Sequence, residues 1–353
     1  MITPIDINLT DHSDNVIQSC MLYSQLYNSA EDSEKLRAVH ARAEAEVNMS
    51  HMDHVSKITP DLLKKAANKL KPGKSDPIYS FSSDCFRNGC DSLLEHLALV
   101  LKCCTVHSHV SLILLLSTLI PLVKDKLASI NTSKNYRSVA ISSILLKLLD
   151  WVVIFLDGDS LGLNELQFAY QAGSSTVMCT WAALETIDYF LKNGSEVFTC
   201  ATDMSKAFDL TLHSLMFANM LDAGVFPIFD RLLIHVYVHQ EANVSWKGEH
   251  SAKFTVRNGC GQGKVLAAIA YCIYCEERFA TLHRRHSWCW FRGHYMGIFR
   301  YSDDKLVLAP SLSALQDILK TCEEYAAQHN LKFSTDADPV KYKTKCMAFL
   351  KKP

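Results

Sequence analysis

From Ser195 onward the chain alternates short β-prone runs with stretches of helical spacing, and this alternation limits the fold more than any other feature of its 353 residues. Residues 197–202, 252–256, 298–301 and 305–308 are rich in strand formers, while 212–221, 265–279 and 312–328 carry apolar residues at helical intervals. Interleaving of this kind predicts an α+β or α/β core built on one sheet. Upstream, Thr59-Pro60 opens a helix with proline in its first turn; Leu62, Leu63, Ala66, Ala67 and Leu70 continue it to a stop at Lys71-Pro72-Gly73-Lys74. Residues 33–47 also have helical spacing, but the first 55 residues are polar and acidic and read as a connector.

Composition narrows the class. A chain that is 48% hydrophobic and 21% charged can bury a sizeable core, and nine Pro with thirteen Gly exclude a collagenous or low-complexity polymer. The 36 basic and 37 acidic side chains nearly cancel, so no whole-molecule field announces a polyanion. The balance is uneven, however: residues 1–50 carry eight acids against three bases, which leaves a net charge of +4 on the rest. Thirteen scattered cysteines do not form a secreted disulfide framework, and with no basic and apolar leader at the N-terminus they predict reduced thiols and an intracellular site. The strongest apolar run, 110–123, is too short for a membrane span and contains Pro121, so it predicts a buried element.

Three segments carry candidate chemistry. VFTCATDMSKAFD (197–209) ends a β-prone run at Asp203, where a carboxylate either caps the following helix or faces a ligand beyond the sheet. IFRYSDDKLVLAP (298–310) predicts a hairpin with Asp303 and Asp304 at its tip; turns favour Asp, yet adjacent like charges call for a cation or water to screen them. Between these lies NGCGQGKVLAA (258–268), a glycine-rich turn opening into a helix, whose backbone can approach a phosphate or base closely. Its spacing is neither the dinucleotide-binding nor the P-loop pattern.

The order of the three segments resembles the palm of reverse transcriptases, and specifically that of non-long-terminal-repeat (LINE-type) retrotransposons. The resemblance extends through LKPGKSDP (70–77), IPLVKDK with SKNYRSVAISS (120–126 and 133–143), ELQFAYQAGSST (165–176), and the helix and Lys-containing strand after the Asp-Asp hairpin, covering residues 56–352. It implies an α+β fold: a polymerase palm, an antiparallel sheet with helices, over 195–353, and mainly helical fingers over 56–194. The N-terminal endonuclease and the thumb of such element proteins are not expected within this sequence.

The resemblance also implies an RNA-directed DNA polymerase using an RNA template, a DNA primer, deoxynucleoside triphosphates and two Mg²⁺ ions, with Mn²⁺ a possible substitute. Asp203 and Asp303 match the metal-binding positions and Asp304 the supporting charge beside them. Phe208 matches the ring that excludes a ribose 2′-hydroxyl, and Gln262 and Gly263 match the loop under the incoming nucleotide. Tyr301 belongs to the Tyr-x-Asp-Asp substrate turn. Lys124 and Arg137 are placed as triphosphate contacts, and Lys343 as proton donor to pyrophosphate. Departures include Ser138 where Pro is usual, Ala267-Ala268 for Ser-Pro, and Lys264, which sets a long cation beside the nucleotide turn. They keep open an alternative, a catalytically inactive remnant that binds nucleic acid, beside an unrelated α+β interaction protein. Residues 279–302 lack acids and mix Arg284, Arg285, Arg292 and Arg300 with Trp288, Trp290, Phe291 and Tyr295, a composition suited to a nucleic-acid backbone or to an ordinary hairpin. Cys272, Cys275, His283 and His286 have a spacer too short for a two-Cys, two-His zinc finger.

Overall fold

The computed structural model describes residues 12–29, 33–76, 79–129, 131–132, 135–158, 161–261, 263–276, 289–334 and 343–351. Its helices are α1 (His12–Leu26), α2 (Ser33–Glu46), α3 (Met49–Ser56), α4 (Pro60–Lys69), α5 (Ser83–Arg87), α6 (Asp91–His107), α7 (Ile144–Asp157), α8 (Thr176–Lys192), α9 (His213–Asp222), α10 (Pro227–Val238), α11 (Ala267–Tyr274) and α12 (Leu312–Gln328). The strands are β1 (Leu116–Val123), β2 (Tyr136–Ile141), β3 (Val197–Thr202), β4 (Glu241–Trp246), β5 (Glu249–His250), β6 (Phe254–Thr255), β7 (Trp290–Phe291), β8 (His294–Tyr295), β9 (Ile298–Tyr301), β10 (Asp304–Ala309) and β11 (Lys345–Phe349). The fold mixes α and β, in two compact units: Met1–Leu161 with Phe208–Ala267, and Gly162–Ala207 with Ala268–Pro353.

In the first unit, β1 pairs antiparallel with β2 and parallel with β4, which also carries β5 and β6. The apolar run at 110–123 becomes a 3-10 turn (Leu112–Leu114) followed by β1, whose first four residues are buried. Pro121 sits beyond the β4 pairing, where β1 has β2 as its one neighbour and a missing N–H leaves a single ladder affected. No helix among the described residues is long and apolar enough to cross a membrane. The helix predicted at Thr59-Pro60 forms as α4: Thr59 Oγ1 accepts from Leu62 N at 3.2 Å, and Leu63, Ala66 and Ala67 bury the face turned to α6 and α7.

The stretch read as a connector carries α1, α2 and α3. α1 packs on β4, β5 and β6; α2 packs on α9 and α10. Tyr23, Leu26 and Tyr27 share a core with Leu119, Ala140, Ala242, Val244 and Val256. Acids outnumber bases in this stretch, but its large apolar side chains fall at the spacing of one helical face and are sufficient to anchor it.

The second unit is built on one antiparallel sheet of order β11-β3-β10-β9. α12 packs on β3 and β10, and α8 on β3 and β9. Ala183, Ile187, Val197, Cys289, Phe299 and Leu308 form its core. Of the basic and aromatic stretch, Arg284, Arg285 and Trp288 lie outside the described residues, as do His283 and His286. Trp290 and Tyr295 pair across the β7–β8 hairpin, whose turn residues Arg292 and Gly293 both take positive φ, +47° and +84°.

Candidate active site

In the second unit, β3 ends at Thr202, which pairs with Lys305 on β10. Asp203 therefore leaves the sheet at the same end as the β9–β10 turn. That turn is two residues long: Tyr301 pairs with Asp304, and Ser302 and Asp303 connect them, with Ser302 at φ +61°. Asp303 thus occupies the tip, while Asp304 is the first residue of β10 and exposed.

The backbone at both carboxylate positions is tied down. Asp203 O accepts from Ser334 N at 2.8 Å, and Ser205 N donates to Lys332 O at 2.8 Å. At the hairpin, the buried Gln167 side chain reaches in from the neighbouring segment. Its Oε1 accepts from Ser302 N at 3.0 Å and from Ala169 N at 3.1 Å. The same segment continues the sheet edge: Phe168 N donates to Arg300 O, and Arg300 N to Leu166 O, both at 2.9 Å. Tyr170 Oη lies 3.4 Å from Ser302 Oγ.

Asp304 feels the other two carboxylates. Partial burial, then Asp303, then Asp203 push the Asp304 carboxyl above its ordinary value, with Lys343 opposing. Lys343 Nζ stands 3.6 Å from Asp203 Oδ2, on a side chain 69% exposed, so this contact is loose and screened. An end of a sheet with three acids and one exposed lysine has unneutralised negative charge. Among the described residues no three His, Cys, Asp or Glu side chains enclose a metal ion by themselves. Mg²⁺ does not need such a cage, because it takes one or two carboxylates and completes its shell with water and phosphate. Asp203 and Asp303 fit that donor chemistry.

The first unit holds the remaining sequence candidates. Lys124 and Arg137 are exposed on the β1–β2 ribbon, Arg137 opposite Leu122 and Lys124 N bonded to Asn135 O at 2.8 Å. Phe208 is half-buried, its carbonyl accepting from Cys260 N at 2.9 Å. Gly263 has φ +109°, and a Cβ there would stand 2.8 Å from Ala140 O, so the turn can lie against β2 only with glycine. Gln262 lies outside the described residues. Lys264 stands beside the turn, its side chain packed over Gly261, and its charge is tied down there: Nζ donates to Gln240 Oε1 at 2.5 Å and sits 4.7 Å from the centre of the Tyr237 ring. Burial brings its pKa down to about 8. Arg300, in the second unit, is 1% exposed and forms a two-bonded pair with Glu276 instead of facing a nucleic-acid backbone.

Sequence reasoning missed Gln167 and Tyr27. Tyr27 stands at an unremarked position and Gln167 inside the 165–176 segment without an assigned role, and what each does depends on partners more than a hundred residues away. Tyr27 O accepts from Arg257 N at 2.8 Å and from Asn258 N at 3.1 Å, while Asn258 Nδ2 donates to Leu26 O at 3.0 Å and Asp209 O at 2.8 Å. A Cβ at Gly259 would come within 2.9 Å of both Asp209 O and Tyr27 Cε1. The end of α1 therefore locks the 208–211 segment to the glycine-rich loop within this unit.

No curated protein matches the chain. The family profile described as reverse transcriptase (RNA-dependent DNA polymerase) matches residues 124–347, which span both carboxylate positions, the glycine-rich loop and Lys343. Well over half of the sequence falls within that match, and the chain belongs to the reverse transcriptase family.

Proposed function

We propose that this chain is the RNA-directed DNA polymerase domain of a LINE-type retrotransposon, extending a DNA primer on an RNA template. Residues 195–353 serve as the palm and residues 56–194 as the fingers. The observation that carries the reading is the antiparallel β3–β10–β9 arrangement, which brings Asp203 and the Asp303–Asp304 turn to one sheet end.

Asp203 and Asp303 would hold two Mg²⁺ ions, with Mn²⁺ able to substitute. Bound there, the ions supply charge neutralisation at the primer 3′-oxygen and at the triphosphate. Asp304 adds negative charge that strengthens retention of the cations. Lys343, held near Asp203, donates a proton to the departing pyrophosphate. Arg137 and Lys124 grip the triphosphate, Phe208 packs where a 2′-hydroxyl would sit, and Gly263 lets the backbone approach the nucleotide. Gln262 and Tyr301 complete the contacts to nucleotide and primer.

The test is primer extension on a homopolymeric RNA template with Mg²⁺. Asp203→Asn and Asp303→Asn should each lower the rate by about a hundredfold or more while leaving hybrid binding in place. Wild-type protein that binds the hybrid and incorporates nothing would instead support the inactive nucleic-acid-binding remnant.

A further inference from the structure

A cavity of about 730 Å³ opens within the first unit between α2, the end of α6, α10 and the residues around β6. Its floor is apolar, formed by the buried side chains of Leu36, Ile234 and Tyr237. Its walls are cationic: Arg37 from α2, Arg231 from α10 and Arg257 after β6 are opposed by one lining carboxylate, Glu44. Six of the chain's fifteen histidines line the same space, His40, His107, His109, His213, His235 and His239. The His235 ring lies 4.9 Å from that of His109 and 4.3 Å from that of His239.

None of the residues assigned to the polymerase chemistry lines this cavity, and its three arginines face a single carboxylate. Arg231 has one guanidinium nitrogen bonded to Val106 O at 2.7 Å, while its buried Nε meets no partner among the described residues. Burial, and then His239, His109 and His40, hold His235 below the ordinary imidazole value, with a bond to Val110 O opposing. His213, on α9, is deeper; its ring is held down to about 4 by burial and by Lys264, so it stays neutral. An oxyanion among these groups would replace mutual repulsion by attraction. Guanidinium forks match phosphate oxygens, and imidazoles gain charge in the physiological pH range. The volume suits a ligand of nucleotide size better than a single small ion.

We propose that this cavity is a phosphate-binding site, lined by none of the residues assigned to the polymerase chemistry, whose affinity rises as pH falls because a bound phosphate favours the charged form of His235 between His109 and His239. The phosphate comes either from a free polyphosphate or nucleotide or from a nucleic-acid strand, and the experiment separates the two. The inference does not depend on polymerase activity, because its readout is binding.

The full chain is titrated calorimetrically with inorganic tripolyphosphate at about pH 6 and about pH 8. Binding should be about tenfold tighter at the lower pH and accompanied by proton uptake. Arg37→Ala combined with Arg257→Ala, both on exposed side chains, should weaken it by at least about tenfold. His235→Gln should flatten the pH dependence. A labelled single-stranded oligoribonucleotide is then added: displacement by tripolyphosphate from the wild type but not from the arginine variant assigns the site to a nucleic-acid strand. Failure of the two to compete assigns it to a free nucleotide or polyphosphate. Absence of tripolyphosphate binding at the lower pH, or binding indifferent to the arginine pair, overturns the proposal.

Discussion

Tyr27 Oη donates to Asp209 Oδ1 at 2.7 Å and shares a 2.9 Å hydrogen bond with Ser138 Oγ. One phenol at the end of α1 thus joins the 208–211 segment to β2, and the position occupied by Ser138 is one where the family resemblance leads to proline, which could not supply that hydroxyl. Burial, followed by the nearby Asp209 charge, holds the phenol protonated. Tyr27→Phe should cost about 1–3 kcal/mol, because two polar partners lose a bond without regaining water. Tyr27→Ala adds a cavity and should cost about 3–5 kcal/mol. Urea denaturation of the two variants checks both the sign and the ranking, and equal midpoints for wild type and Tyr27→Phe would remove the phenol from the account.

Gln167 does for the hairpin what Tyr27 does for the glycine-rich loop. Its Oε1 holds Ser302 N in a turn whose backbone takes φ +61°, a conformation that side-chain-bearing residues adopt at some cost. Gln167→Ala should therefore release the turn and let Asp303 shift. Primer-extension kinetics should show a fall in kcat of about tenfold or more with a smaller change in KM for nucleotide, since the substrate contacts themselves are intact. A change confined to KM would mean that Asp303 is positioned by something else.

The Arg300–Glu276 pair is bonded at 2.8 and 3.2 Å, with the arginine side chain 1% and the glutamate side chain 31% exposed. Glu276→Ala leaves a guanidinium in the interior with its main partner gone, at an expected loss of about 3–5 kcal/mol. Replacing both residues by methionine removes the stranded charge and should recover most of that loss. A double-mutant cycle followed by denaturation measures the difference. If the single and double variants are equally unstable, the pair is coupled to the fold through packing alone.

The legible parts of this chain are those whose signal is local. The spacing of apolar residues marked the strand at 197–202 and the helix at 312–328, whose observed bounds coincide with the expectation. The turn chemistry of Tyr301-Ser302-Asp303-Asp304 marked the hairpin between two β-prone runs. α10 gave little periodic signal, because Ile228, Phe229, Leu232, Leu233, Ile234, Val236 and Tyr237 are buried around most of its circumference and leave a narrow face of Arg231, His235 and Val238. Arg300 stayed open between two readings for another reason: a basic residue among aromatics looks the same in sequence whether it meets a phosphate or a carboxylate 24 positions away. The histidines of the cavity carry no shared spacing either, since α2, the end of α6, α9 and the end of α10 each supply one or two of them.

Asp230, in the first turn of α10, is fully buried, and neither carboxylate oxygen meets a donor among the described residues. Burial first and Asp157 second raise its carboxyl well above the ordinary value, against the pull of Arg42. Asp157 is committed elsewhere, since its Oδ2 accepts from Phe226 N at 2.8 Å and caps α10. The folded protein thus keeps a proton on Asp230 at pH values where the unfolded chain has released it. Stability falls as pH rises above about 4, by about 1.4 kcal/mol per pH unit, until the folded carboxyl itself ionises, and the loss is constant beyond that point. Asp230→Asn has nearly the same shape and no ionisation. Its urea midpoint should lie close to that of the wild type near about pH 4 and clearly above it near about pH 7. A variant whose advantage is the same at both pH values would show that the buried carboxyl is not the source of the slope.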